Sequence, residues 1–115
     1  MMATLFVIKS CDTCRKARKA LDEKGLPYQV HDLREDGLSA ALLEHILARV
    51  PVMEALNRRS TTWRNLPEED RQDLDANKAR ALIMANPTLL KRPLLDTGDE
   101  IRVGYRDGDY DDLKG

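Results

Sequence analysis

Thr4-Leu5-Phe6-Val7-Ile8-Lys9-Ser10-Cys11-Asp12-Thr13-Cys14-Arg15-Lys16-Ala17-Arg18-Lys19-Ala20-Leu21 is the stretch whose reading decides the fold. Thr4 to Ile8 is β-rich, apolar and closed by Lys9-Ser10, which reads as a short buried strand. A helical pattern follows almost at once. Between Asp12 and Lys24, Cys14, Ala17 and Leu21 fall at i, i+3 and i+7. Arg15, Lys16, Arg18, Lys19 and Glu23 take the other side, and Gly25 is the stop. The spacing predicts an amphipathic helix with Cys14 facing inward and Cys11 at its N-terminus.

That placement matters chemically. Unpaired backbone N–H groups and the helix dipole at an N-terminus favour an anion over a neutral thiol, and the thiolate is the reactive species. A free cysteine titrates near about 8.5. Arg15 and Lys16 are expected to lower that for Cys11 and Asp12 to oppose them, giving a modest net activation. Cys14, one turn further in, is placed to attack a mixed disulfide at Cys11 and release the partner by thiol–disulfide exchange. Two other readings stand beside this one. The cysteines could be small buried hydrophobes, or zinc ligands with His31 and His45. The spacing of those four residues matches no familiar finger, so no metal is expected.

Outward from this stretch, Pro27 opens a second strand, Tyr28 to His31, with Tyr28 and Val30 on one face, and Asp32 to Gly37 ends it. From Leu38 to about Asn86 the pattern turns helical. Leu42, Leu43, Ile46 and Leu47 share a face, Pro51 and Pro67 can each start a helix, and Leu82 and Ile83 mark a last one. Pro93-Leu94-Leu95, Thr97-Gly98-Asp99 and Ile101 to Gly104 read as strand, turn, strand. Asp107 to Leu113 is taken as a short final helix. The expected fold is α/β: a mixed four-stranded sheet of thioredoxin-like order, one domain over residues 1–115, with a helical insert at about 38–86 between its β-α-β and β-β-α halves.

The chain has 115 residues, with 19 Lys and Arg against 20 Asp and Glu, a net charge of −1. So balanced a surface gives no reason to expect nucleic acid or anionic lipid as a partner. The apolar run before Lys9 is too short for a signal or membrane helix, so a cytoplasmic location is expected. Two cysteines three apart close too small a loop to serve as a staple. No exposed apolar stripe is evident, and a monomer is expected.

Beyond the Cys11-Asp12-Thr13-Cys14-Arg15-Lys16-Ala17-Arg18 segment, the chain carries Arg59-Ser60-Thr61-Thr62-Trp63-Arg64, Lys91-Arg92-Pro93-Leu94 and Val103-Gly104-Tyr105. In this order, over nearly its whole length, it resembles the ArsC/Spx family, and within it the ArsC-like branch called YffB. The resemblance implies a thiol-dependent oxidoreductase in which Cys11 is the nucleophile, resolved by Cys14 or by glutathione. Candidate substrates are arsenate, glutathione disulfide or a protein disulfide. No tightly bound cofactor is implied; glutathione is the co-substrate, and glutathione or glutaredoxin the partner.

Family arsenate reductases bind the oxyanion with three arginines, since guanidinium forks suit tetrahedral anions. Arg92 matches the one before the proline, and Arg59, with Arg58 as alternative, matches the middle one. Tyr105 stands at the third position, with Arg106 one residue later. Pro93 matches the family's cis proline, which implies backbone groups beside the Cys11 sulfur that receive an extended thiol substrate. The resemblance also carries an alternative, a redox-sensing regulator of the Spx type that binds the C-terminal domain of the RNA polymerase α-subunit. Val103-Gly104-Tyr105 resembles that branch, while Pro51 stands where those regulators carry a glycine. Trp63 is expected to pack rather than to stack on substrate, and His31 and His45 are expected to be structural.

Overall fold

Strand β1 (Ala3–Val7) lies at the centre of the sheet in the computed structural model, which describes residues 3–113. The sheet order is β2-β1-β3-β4, with β2 at Tyr28–Asp32, β3 at Leu94–Asp96 and β4 at Ile101–Val103. β1 runs parallel to β2 and antiparallel to β3, and β3 and β4 form an antiparallel hairpin. The fold class is thus α/β with the mixed four-stranded sheet that the sequence predicts.

β1 starts and ends one residue earlier than Thr4–Ile8, although Ile8 is still buried. β2 takes in Asp32, which the sequence assigns to the following turn. Alternation puts Val30 on a shared face with Tyr28, yet Val30 stays 39% exposed. The reason is topological: β2 is an edge strand with β1 as its one neighbour.

Helix α1 (Asp12–Lys24) follows β1 and has the predicted bounds. Its buried face is Cys14, Ala17 and Leu21. These side chains join Ala3, Leu5, Val7, Leu26, Leu95 and Tyr110 in one closed apolar cluster. Gly25 ends the helix at φ 68°, and its N–H bonds back to the carbonyls of Leu21 and Asp22.

The chain divides into two compact units. One joins the residues up to Asp36 to those from Arg92 onward; the other is 37–91. The second is the helical block: α2 (Ala40–Leu47), α3 (Val52–Ala55), α4 (Thr61–Arg64), α5 (Glu68–Arg71) and α6 (Ala76–Ala85). Ser39, Ser60 and Asp75 each accept a backbone N–H at a helix start, contacts worth about 1 kcal/mol apiece. Pro51 and Pro67 precede α3 and α5, as their fixed φ favours.

The block extends beyond the 86 expected because a 3-10 turn, Pro87–Leu89, carries the chain back along α3. There the N–H groups of Asn57 and Lys91 donate to the carbonyls of Leu89 and Ala55, and Leu89 and Leu90 are fully buried. Trp63 is half-buried on α4.

The final helix expected at Asp107–Leu113 does not form. The segment is a succession of turns with i→i−3 bonds from Asp109, Asp111 and Leu113. Gly108 stands at φ 91°, and the Asp109 carboxylate takes the Arg106 N–H, so local side-chain bonding and a left-handed residue displace the helix.

Candidate functional site

Cys11 is the N-cap of α1, with extended backbone at φ −94° and ψ 114°. Its own N–H donates to the Ile8 carbonyl, which turns the chain directly from strand to helix. Its Sγ then accepts the Cys14 N–H at 3.3 Å, satisfying one of the free donors of the first turn. Cys11 is half-buried and Cys14 is 2% exposed, and both are free thiols. Asp12 and Arg15 pair with each other on the solvent side of the helix, so the two charges that the sequence set in opposition form one ion pair.

Burial pushes the Cys14 thiol up to about 12, and a hydrogen bond to Cys11 adds to that; the Arg92 charge pulls the other way. Arg92 is half-buried, with its Nε sealed from solvent. The Arg92-Pro93 peptide is cis and Pro93 is buried, at the entry to β3. The Pro93 carbonyl accepts the Gly104 N–H at 2.8 Å. Cys11, Cys14, Arg92 and Pro93 therefore belong to one unit, with Arg92 in electrostatic reach of Cys14.

Arg58 and Arg59 belong to the helical unit. Both are exposed and line a concavity of about 390 Å³ with Asn57, Lys91 and Met53. The Arg59 N–H donates to the Asn57 side chain at 3.0 Å, which fixes this turn ahead of α4.

Two residues that the sequence did not single out bear on the dithiol. Asp32, 6% exposed, accepts the N–H groups of Arg34 and Glu35 through one oxygen, and these bonds hold its carboxyl below the usual range. With Ile8, Cys14, Arg15 and Arg18 it lines a hollow of about 180 Å³ at the carboxyl ends of β1 and β2. An acid directly after a predicted strand was the available signal. Tyr110, 1% exposed, packs into the same cluster as Cys14 and against Tyr105, with ring centroids 4.8 Å apart. A lone aromatic within an acidic run was its signal. His31 contacts the Phe6 ring, and His45 lies exposed on α2. Among the described residues, no cluster of three or more His, Cys, Asp or Glu is placed to hold a metal ion. Nor is any helix among them long and apolar enough to cross a membrane.

A thioredoxin-like α/β sheet with two cysteines at the strand-to-helix turn and a cis proline at the start of the third strand defines the class. Within it, residues 6–113 match the ArsC family model, and the chain belongs to the ArsC family.

An uncharacterised protein of Haemophilus influenzae is 37% identical over 95% of this chain and 96% of its own length. The global transcriptional regulator Spx of Listeria innocua is 33% identical over 92% of this chain and 82% of its own. Among solved structures, a YffB protein superposes with a TM-score of 0.88 at 38% identity, covering 95% of this chain and 96% of the other. An arsenate reductase related protein from Brucella melitensis gives 0.79 at 41% identity, covering 96% and 92%.

Proposed function

We propose that this chain is a thiol-dependent oxidoreductase, with Cys11 as nucleophile and Cys14 as resolver. The observation that carries the reading is the Cys11 Sγ, half-buried at the α1 N-terminus and accepting the Cys14 N–H, with the second thiol one turn inside. The sulfur that caps the helix is also the more exposed of the two, so it is the one an incoming disulfide meets first.

Cys11 attacks a disulfide, releasing one half as a thiolate and keeping the other as a mixed disulfide. Cys14 then loses its proton to solvent and attacks the Cys11 sulfur, expelling the second half and leaving an intramolecular disulfide. Two molecules of glutathione, or glutaredoxin, return it to the dithiol and are themselves oxidised. Arg92 binds an anionic group of the substrate, either a carboxylate of a glutathione moiety or the oxyanion of arsenate, and the family resemblance gives Arg59 a role of the same kind. Pro93 orients the incoming thiol. In this reading the protein works as a monomer in the cytoplasm, without a resident cofactor. Turnover of a protein disulfide and of arsenate, measured with glutathione and glutaredoxin, and of glutathione disulfide, measured with a dithiol reductant in place of glutathione, is expected to vanish in Cys11→Ser; full activity in that variant overturns the reading.

The identity with Spx supports a second reading, a redox-sensing regulator that binds the C-terminal domain of the RNA polymerase α-subunit. Capture of that domain by only one redox form of this protein, with no turnover by either, favours it.

A further inference from the structure

We propose that the Tyr110 hydroxyl is the hydrogen-bond donor that receives the Cys14 sulfur when Cys14 ionises to resolve a mixed disulfide. The inference rests on the dithiol reading above and assigns to Tyr110 a positioning role in its second step.

The Tyr110 oxygen is buried and has no hydrogen-bond partner among the described residues, an arrangement native folds rarely keep without a reason. The buried members of its cluster are Ala3, Leu5, Val7, Ala17, Leu21, Leu26, Leu95 and Cys14. Of these side chains Cys14 alone has an atom able to accept a hydrogen bond; among the half-buried residues packed against them, Cys11, Tyr28 and Tyr105 have one too. In the resting dithiol Cys14 is neutral and bonded to Cys11, with the Ile8 backbone as a further partner, and no hydrogen bond joins the phenol to its sulfur. Once Cys11 is tied up in a mixed disulfide, its bond to Cys14 is lost. Cys14 must then pass its proton to solvent before its sulfur can bond to that of Cys11 and expel the substrate thiolate.

A charged sulfur inside this cluster needs donors; the Ile8 backbone supplies one, and Tyr110 is the side-chain donor among the cluster's buried members. Its contact is therefore absent in the ground state and made only as charge develops, which is the kind that accelerates a step. Burial keeps the phenol protonated well beyond the ordinary tyrosine range, so it retains the proton it donates. Tyr105, Asp109, Arg102 and Cys14 are the titratable groups it feels; Cys14 in turn feels Cys11, the Ile8 backbone and Arg92.

The ring is also held in place. Arg102 on β4 grips the Asp112 carboxylate with two N–H groups at 2.7 and 2.6 Å and the Asp109 carbonyl at 2.8 Å, on either side of Tyr110. Lys24 at the end of α1 reaches the Asp111 carbonyl at 3.1 Å.

The test follows Cys14 ionisation by the pH dependence of its alkylation in Cys11→Ser protein, which needs no turnover. Adding Tyr110→Phe is expected to raise the midpoint by about one pH unit and to leave the thermal unfolding midpoint unchanged or higher, since an orphan hydroxyl is removed and the ring kept. An unchanged Cys14 midpoint overturns the proposal, whether or not the wild-type dithiol turns over. Should the phenylalanine variant not fold, the tyrosine ring carbon bearing the hydroxyl, labelled with 13C in Cys11→Ser protein, carries the same decision. Its Tyr110 signal is expected to shift with Cys14 ionisation, and a signal indifferent to it refutes the role.

Discussion

The backbone N–H of Cys14 donates to the Sγ of Cys11 at 3.3 Å, so the side chain that caps α1 is also the nucleophile of the proposed reaction. Cap and thiol are separable by substitution. Cys11→Ser keeps an acceptor at the N-cap and is expected to leave stability nearly unchanged while removing thiol chemistry. Cys11→Ala loses both, at a cost of about 1 kcal/mol in urea unfolding. Equal stability of the two variants would show that the sulfur contact contributes nothing as a cap.

Cys14 makes stability fall with alkali. Burial and the hydrogen bond to Cys11 push its thiol from the ordinary thiol range up to about 12 in the folded chain. Between the two the folded state binds the extra proton, so stability declines as pH rises, by up to about 1.4 kcal/mol per pH unit. Tyr110, shifted the same way, adds its own decline above 10.0. Urea unfolding at several pH values, compared with Cys14→Ala, should show a shallower slope in the variant; parallel slopes would count against burial as the cause.

Asp112 is the acid counterpart. Arg102 lowers its carboxyl from 3.8 to about 2, so whatever the pair contributes is complete above 3.8 and disappears as pH drops through 2. Hydrogen exchange of residues 105–113 is expected to quicken over that window and, at neutral pH, in Asp112→Asn. Unaltered exchange in the variant would leave the clamp without effect.

Asp32 caps the turn after β2 with bonds to Arg34 and Glu35. Asp32→Ala strands both donors and is expected to cost about 1–3 kcal/mol, read as a lower urea midpoint with the slope retained.

Arg59 and Cys11 give separable kinetics in the oxidoreductase reading. Arg59→Ala is expected to raise KM for an anionic substrate about tenfold, consistent with a charge-assisted contact, and to leave the alkylation rate of Cys11 alone. A parallel loss of that alkylation rate would move Arg59 from binding to a direct influence on the thiol.

The sequence announces local order well and distant packing poorly. α1 is legible residue for residue because its apolar spacing, its polar face and Gly25 all agree. The proline-led starts of α3 and α5 are legible for the same local reason. The exposure of Val30 is not legible, because alternation says which face a side chain takes and not what covers it on an edge strand. The 107–113 segment misleads because Gly108 and the Asp109 side chain outcompete a helix. Its anchoring by Arg102 and Lys24 comes from elements far away in sequence. Cys11, Cys14, Arg92 and Pro93 all stand out in the sequence; Tyr110 does not, because a buried hydroxyl without a partner is visible only once the core is closed.

The sheet unit is assembled from two pieces of chain separated by residues 37–91, and this has a consequence during synthesis. β1, α1 and β2 leave the ribosome early, carrying both thiols, whereas β3, β4 and Tyr110 arrive only after the helical block has been made. Until they do, the cluster that hides Cys14 lacks Leu95 and Tyr110, and the closing contacts must span a long loop. A nascent chain thus passes through an interval in which the cover over Cys14 is incomplete, and residues made after the helical block complete it.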